Sequence, residues 1–259
     1  MRLWIGLALF LTLTTAAGAQ TDAAKNIAPG GVLRAAINYG NPVLAQRGTT
    51  EADPKGVSAD LARALAKQLG VPVQFVIFHE AGEVPKAVDR WDVAFLAIDP
   101  QRAMGITFTP PYVVIEGSYV VPKASKLQAN EAVDAPGVRI AVAQGSAYDL
   151  YLSRALHHAT LLRAKDTAAA IAAFNAGQAD VLAGVRAPLT ELVAANSSMR
   201  LLPGHFEEIE QAMGLPKSHA AGLPTLVRFV EAMKSSGFVA NALNASGQKS
   251  AEVAPPAGP

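Results

Sequence analysis

At 259 residues, 51% hydrophobic and 17% charged, the chain can form one large domain or two lobes with a substantial buried core. A net charge of +1 with no Lys/Arg run argues against nucleic acid or an anionic membrane surface as the main partner. The absence of cysteine excludes disulfides and a cysteine-linked lipid anchor, and there is no metal cluster, nucleophile motif or phosphate loop.

Residues 1–19 read as a secretory signal peptide. Arg2 is the positive end, Leu3 to Thr15 the apolar stretch, and Ala17-Gly18-Ala19 the small-residue site, with cleavage expected after Ala19. The apolar run is well short of the roughly 20 residues of a spanning helix. Residues 20–30 are a small, polar leader. Gly31 to Ile37 reads as a buried strand, followed by a long Gly/Pro/Asn-rich loop. Ser58 to Gly70 reads as an amphipathic helix with Leu61, Leu65 and Leu69 on one face and Gly70 as its stop. A β-branched strand follows in VPVQFVIF, then a short helical segment near Val84 to Val88 and the strand WDVAFLAI. This β-α-β-α-β alternation predicts a largely parallel sheet covered by helices.

From Thr107 to Pro122 the pattern is extended. A second alternation then begins: strand VRIAVA, helix SAYDLYLSRAL, strand ATLLRA, helix DTAAAIAAFNAG capped by Asp166, strand ADVLAGV, helix RAPLTELVAAN and strand MRLLP. QAMGLP is a further strand and Leu223 to Gly237 a helix, while the Ala/Pro/Gly-rich tail from Gly247 is expected to be disordered. Extended crossings near 109–122 and 203–213 imply that the C-terminal segment completes the first unit. The expected fold is α/β and two-lobed, with a two-strand hinge and a central cleft. The boundaries are 26–112 with 209–246 for lobe 1, 118–203 for lobe 2, and 247–259 for the tail.

Two devices that hold carboxylates stand out: Arg102 after a buried strand, and Gly145-Ser146 at a helix start. Asp99 before Pro100 reads as a helix N-cap. His157 and His158 are adjacent on a helix, point apart, and make a poor metal pair. His79 and Glu80 follow a strand end near the mouth of the first lobe and are lesser candidates for ligand or partner contact.

Four segments, KGVSADLARALAKQLG, DPQRAMGITFTPPY, VRIAVAQGSAY and AGQADVLAGV, resemble the motifs of periplasmic solute-binding proteins of ABC importers, in the polar amino-acid-binding group. The resemblance implies that Arg102 clamps a ligand carboxylate and that Gly145 and Ser146 approach it from the other lobe. It also implies that Tyr39 forms an aromatic wall and that Ala97 lies near the ligand. This chain departs from the pattern in two places. Phe95 to Ile98 replaces the Ser/Thr stretch before the arginine, and no acid follows AGQADV, where the family pairs the ligand's ammonium; the chain reads Ala183-Gly184-Val185-Arg186. Either the ligand lacks a conventionally held α-amino group, or another acid replaces the missing one; Arg186 reads as a helix-start or solvent-facing residue or as a reader of a second carboxylate, and Glu116, in the hinge segment, as an acid that faces the cleft or pairs with a nearby base. The resemblance implies a monomer that binds an amino acid or related small carboxylate in the periplasm. It would deliver this ligand to an inner-membrane permease by lobe closure, using no cofactor or metal. Two alternatives are an enzyme on the same scaffold, acting on prephenate-like acids with Glu116 as the acid to test, and a solute-sensing accessory protein.

Overall fold

The computed structural model describes residues 22–258, so the proposed signal peptide lies outside the described residues. Residues 22–27 are helical (α1) rather than a plain leader, and they carry the fully buried Ile27 into the first core. The first series is β1 (Leu33–Asn38), β2 (Gln46–Arg47), β3 (Pro54–Lys55), α2 (Val57–Leu69), β4 (Val73–Phe78) and β5 (Val93–Ala97). A 3-10 stretch, Ala81–Arg90, stands where the short helical segment is predicted. The second series is β7 (Arg139–Ala143), α3 (Ala147–Ala155), β8 (Thr160–Ala164), α4 (Thr167–Asn175), β9 (Val181–Val185), α5 (Arg186–Ala195) and β10 (Met199–Leu201). Between and after them run β6 (Ile106–Pro122), β11 (Glu207–Pro216), α6 (Leu223–Ser235), α7 (Phe238–Ala245) and β12 (Glu252–Val253).

Apolar periodicity explains these elements. Leu61, Leu65 and Leu69 of α2 are buried in the first core, and Gly70 ends the helix in the left-handed conformation at φ 72°. β5 is buried at every position and β1 at all but Arg34, as strands covered on both faces must be.

One sheet runs through the molecule in the order β4-β1-β5-β11-β6-β9-β7-β8. β1 pairs in parallel with β4 and β5, and β7 in parallel with β8 and β9. The two parallel halves are joined by the antiparallel pair β6 and β11, whose register runs from Ile106↔Pro216 to Gly117↔Glu207. β6 then continues past β11 to pair with β9 and β10. Pro110 and Pro111 lack the N–H groups an even ladder needs, and the register shifts opposite them, between Gln211 and Gly214. Thr109 repairs the gap, its Oγ1 accepting from the Met213 N–H at 3.2 Å.

Both halves begin their central strands with the same clamp. Arg34 of β1 reaches Asp92 with Nη2–Oδ1 at 2.7 Å, and Asp92 Oδ2 accepts the Arg34 N–H at 2.8 Å. Arg139 of β7 reaches Asp180 at 2.9 Å, and Asp180 Oδ2 accepts the Arg139 N–H at 2.9 Å. Each Asp sits just before the neighbouring parallel strand, so a fork and a backbone bond fix the register of the two strands.

The expected disordered tail is corrected for its inner part. Glu252 and Val253 pair with Val114 and Val113 of β6, Ala254 is buried, and Lys234 Nζ donates to the Pro255 carbonyl at 2.7 Å. Composition alone hides this, because what orders the segment is a free stretch of β6 edge and a buried ammonium. Among the described residues no helix is long and apolar enough to cross a membrane.

The two clamps differ in burial: Asp92 is 2% exposed and Asp180 42%. Asp92→Ala should therefore cost about 1–3 kcal/mol, because it strands a buried backbone N–H and a guanidinium. Asp180→Ala should stay within about 1 kcal/mol. Urea unfolding of both variants checks the order, and equal losses would contradict it.

Candidate functional site

The C-terminal end of β5 leads into the turn that carries Arg102. Asp99 organises that turn: its Oδ1 accepts the N–H groups of Gln101 at 2.8 Å and Arg102 at 3.4 Å. Its Oδ2 meets Arg154 Nη1 of α3 at 2.8 Å, across from the other half of the sheet. Asp99 thus caps the turn, as expected, and also ties the two lobes together.

The Arg102 side chain is buried, with 3% of the residue exposed. Nη1 donates to the Ala97 carbonyl at 3.0 Å, and Nη2 donates across the cleft to the Gly145 carbonyl at 3.0 Å. Nε has no protein partner, and among the described residues no carboxylate lies within ion-pair distance. Burial lowers the pKa of the guanidinium to about 10, opposed by the negative charge of Asp99 and Glu207, so it remains charged at neutral pH. A buried cation satisfied only by carbonyl dipoles is costly, and an anion brought to it recovers that cost.

The second lobe meets it with the β7–α3 turn. Gly145 has φ 74°, and a methyl group there would stand 2.8 Å from the Gly82 Cα, so two backbones touch where only glycine fits. Ser146 caps α3, its Oγ accepting the Asp149 N–H at 3.1 Å. The N–H groups of Gly145 and Ser146, read from the sequence as carboxylate donors, are engaged within the turn. Gly145 donates to Asp149 Oδ2 at 2.8 Å and Ser146 to the Ala143 carbonyl at 3.2 Å. Asp149 draws the first of these away because it needs donors itself: it is buried, and its other oxygen holds Arg163 Nε at 2.8 Å.

Between the lobes lies a small cavity of about 40 Å³. Arg102, Ala97 and Ser146 line it, and the structure brings these three expected residues together. The first residues of α3, Ala147 and Tyr148, open onto it beside Ser146. Asn38 and Asn41 from the end of β1, Glu80, Thr167 of α4, Val185 of β9 and Gln211 of β11 complete the wall. Arg102 also borders a wider opening of about 350 Å³ with Gly145, Lys86 and Arg163.

The remaining expected residues lie elsewhere. Tyr39 lines an outer groove with Arg47, His79 and Asp166 and donates its hydroxyl to the Glu51 carbonyl at 2.6 Å. Glu116 and Arg186 form an ion pair with each other, because β6 and β9 place their neighbours Gly117 and Val185 opposite one another. His205 Nδ1 joins Glu116 at 3.1 Å. Arg186 is thereby neutralised instead of presented to a second carboxylate, and Glu116 is held outside the cavity that Arg102 lines. Sequence reasoning passes over Asn38, Asn41, Thr167 and Gln211 as site residues. The rule that ligands collect at strand C-termini points to Asn38 and Asn41, but nothing local points to Gln211.

Glu207, at the start of β11, has a buried Oε2 without a protein partner. Burial pushes its pKa up to about 8; Asp99 adds to this, while Arg154 and Arg102 oppose it. The folded chain therefore keeps a proton that an unfolded glutamate releases near pH ~4. This contribution to stability is complete at low pH and is lost as pH rises toward about 8. Glu207→Gln should flatten that decline in urea unfolding followed from about pH 5 to about pH 9. A variant with the wild-type slope would show that Glu207 is not its source.

A direct sequence comparison with curated proteins finds no significant match. Solved structures do match. An arginine-binding protein of T. maritima, as its P235GK mutant, has a TM-score of 0.72 at 21% identity, over 88% of this chain and 100% of that one. The cysteine-binding protein of Campylobacter jejuni scores 0.71 at 20% identity, over 87% and 92%. The ancestral amino acid-binding protein AncCDT-1, a precursor of cyclohexadienyl dehydratase, scores 0.69 at 23% identity, over 85% and 97%. These likenesses show the two-lobed periplasmic-binding-protein fold. The family model for bacterial extracellular solute-binding proteins, family 3, matches residues 33–245, and the chain belongs to that family.

Proposed function

We propose that this protein captures an amino acid or related small carboxylate in the periplasm and delivers it to an ABC importer by lobe closure. The observation that carries the reading is Arg102: a buried guanidinium at an interlobe cavity, bonded to two carbonyls and to no carboxylate. A carboxylate is the group that best matches its planar fork. The likeness to an arginine-binding and a cysteine-binding protein supports the same ligand class.

The shared strands β6 and β11 suit a hinge, because among the described residues they join the two parallel half-sheets. The moving bodies would be residues 26–112 with 209–246, and residues 118–203, the protein acting as a monomer. Binding is preferred to catalysis because Glu116, the acid named for an enzymatic role, is paired with Arg186 and His205 away from the cavity.

A thermal-shift panel on the chain from Gln20 onward tests the reading, with amino acids, keto acids, hydroxy acids and dicarboxylates as probes. A true ligand at 100 times its Kd should stabilise the protein by about 2.7 kcal/mol. Arg102→Gln should abolish the shift while folding normally, since a neutral amide relieves the buried charge. Undiminished binding by Arg102→Gln would place the ligand elsewhere.

A further inference from the structure

We infer that Arg154 is a positioning residue that latches the two lobes through Asp99, holding the cleft closed over Arg102 before a ligand arrives. The inference rests on the reading of two lobes that move about β6 and β11, and it holds whatever Arg102 binds. Asp99 precedes Arg102 on the first-lobe turn, and Arg154 lies in the last turn of α3 in the second lobe. Nη1 of Arg154 meets Asp99 Oδ2 at 2.8 Å. Of the ion pairs among the described residues, this one alone links the half of the molecule built on β1, β4 and β5 to the half built on β7, β8 and β9. The Asp99 side chain is 4% exposed and that of Arg154 47%, so water screens the pair from one side only.

Asp99 divides its two oxygens between two tasks. Oδ1 caps the Arg102 turn through the N–H groups of Gln101 and Arg102, while Oδ2 faces Arg154, so the ion pair steadies the carboxylate that aims the guanidinium. The second lobe thereby grips the Arg102 turn at two points. The Gly145 carbonyl, just before α3, accepts from Arg102 Nη2, and Arg154 holds Asp99 roughly 12 Å further along the helix. Two separated contacts resist twisting of the lobes as well as their parting. Glu207 feels the charges of Arg154, Asp99 and Arg102, yet its Oε2 is buried without a protein partner. Arg154 is within ion-pair distance of Asp99 and not of Glu207, so the latch is made to the first lobe and not to the crossing strand β11. The cavity beside Arg102, about 40 Å³, has room for a few waters, so a carboxylate ligand enters only once the pair breaks.

The chain has no cysteine, so two introduced ones carry spin labels without background. Arg47→Cys and Ala168→Cys, both exposed, border the outer groove from the two lobes. Double electron–electron resonance between them reads the interlobe distance of the ligand-free protein. In the otherwise wild-type chain the short distance should predominate. Arg154→Gln and Asp99→Asn should each raise the open-to-closed ratio about 5- to 10-fold, and the double variant no further. Asparagine still caps the turn, so Asp99→Asn removes the ion pair alone. Arg154→Lys should recover part of the short distance. Gly82→Leu is the control for motion: a Cβ there stands 3.1 Å from the Gly145 Cα, so the side chain wedges the lobes apart. A longer distance in Gly82→Leu with the wild-type distance in Arg154→Gln would overturn the latch and leave the hinge standing. The wild-type distance in Gly82→Leu would remove hinge and latch together, and a labelled wild-type chain already at the long distance would overturn the latch.

Discussion

The guanidinium of Arg102 lies 3% exposed between two lobes, and among the described residues only carbonyl oxygens accept from it. One of those carbonyls, Ala97, ends β5, and the other, Gly145, lies across the cleft. The arrangement around it follows from keeping that charge in place. Asp99 caps the turn that aims it, then reaches Arg154 of α3. Gly145 must be glycine so that the β7–α3 turn can approach the Gly82 backbone closely enough to offer its carbonyl. A cation held by dipoles favours a ligand that adds negative charge.

Topology sets the two lobes on either side of that charge. Two parallel half-sheets are each packed on both faces, and they share β6 and β11. On the first-lobe side of the crossing, β6 carries paired prolines and the register of β11 shifts opposite them. The short strand β12 lies along β6 at Val113 and Val114, next to those prolines, and Lys234 anchors it from α6. The C-terminal segment therefore braces the crossing on the first-lobe side.

The chemistry of the cleft departs from the pattern the sequence resembles in a consistent way. β9 supplies Val185 and then Arg186, and Arg186 is neutralised by Glu116 instead of facing the cavity. The negative charge at the cavity comes from Glu80, on the turn after β4. The polar groups that complete the wall, Asn38, Gln211 and Thr167, are neutral and can serve as donor or acceptor. Charge is thus sparse in this cavity, confined among its lining residues to Arg102 and Glu80.

The sequence by itself determined most of the elements and their order, though not α1, β2, β3, α7 or β12. Leucine spacing marked α2, a β-branched run marked β4, and the alternation, interrupted once by an extended stretch, implied two lobes with two crossings. It also located Arg102 and Ser146, since a residue just past a strand end or at a helix start is defined by its immediate neighbours. It did not reveal that the Gly145 N–H turns to Asp149, that Glu116 cancels Arg186, or that the tail adds a strand. Only the tertiary structure decided these, together with the facing of Glu80 and Thr167 across 87 residues and of Arg102 and Gly145 across 43. The physical reason is range: periodicity and capping act within a few residues, whereas the partner of a buried charge is set by whichever segment the packed sheet carries to within hydrogen-bond distance.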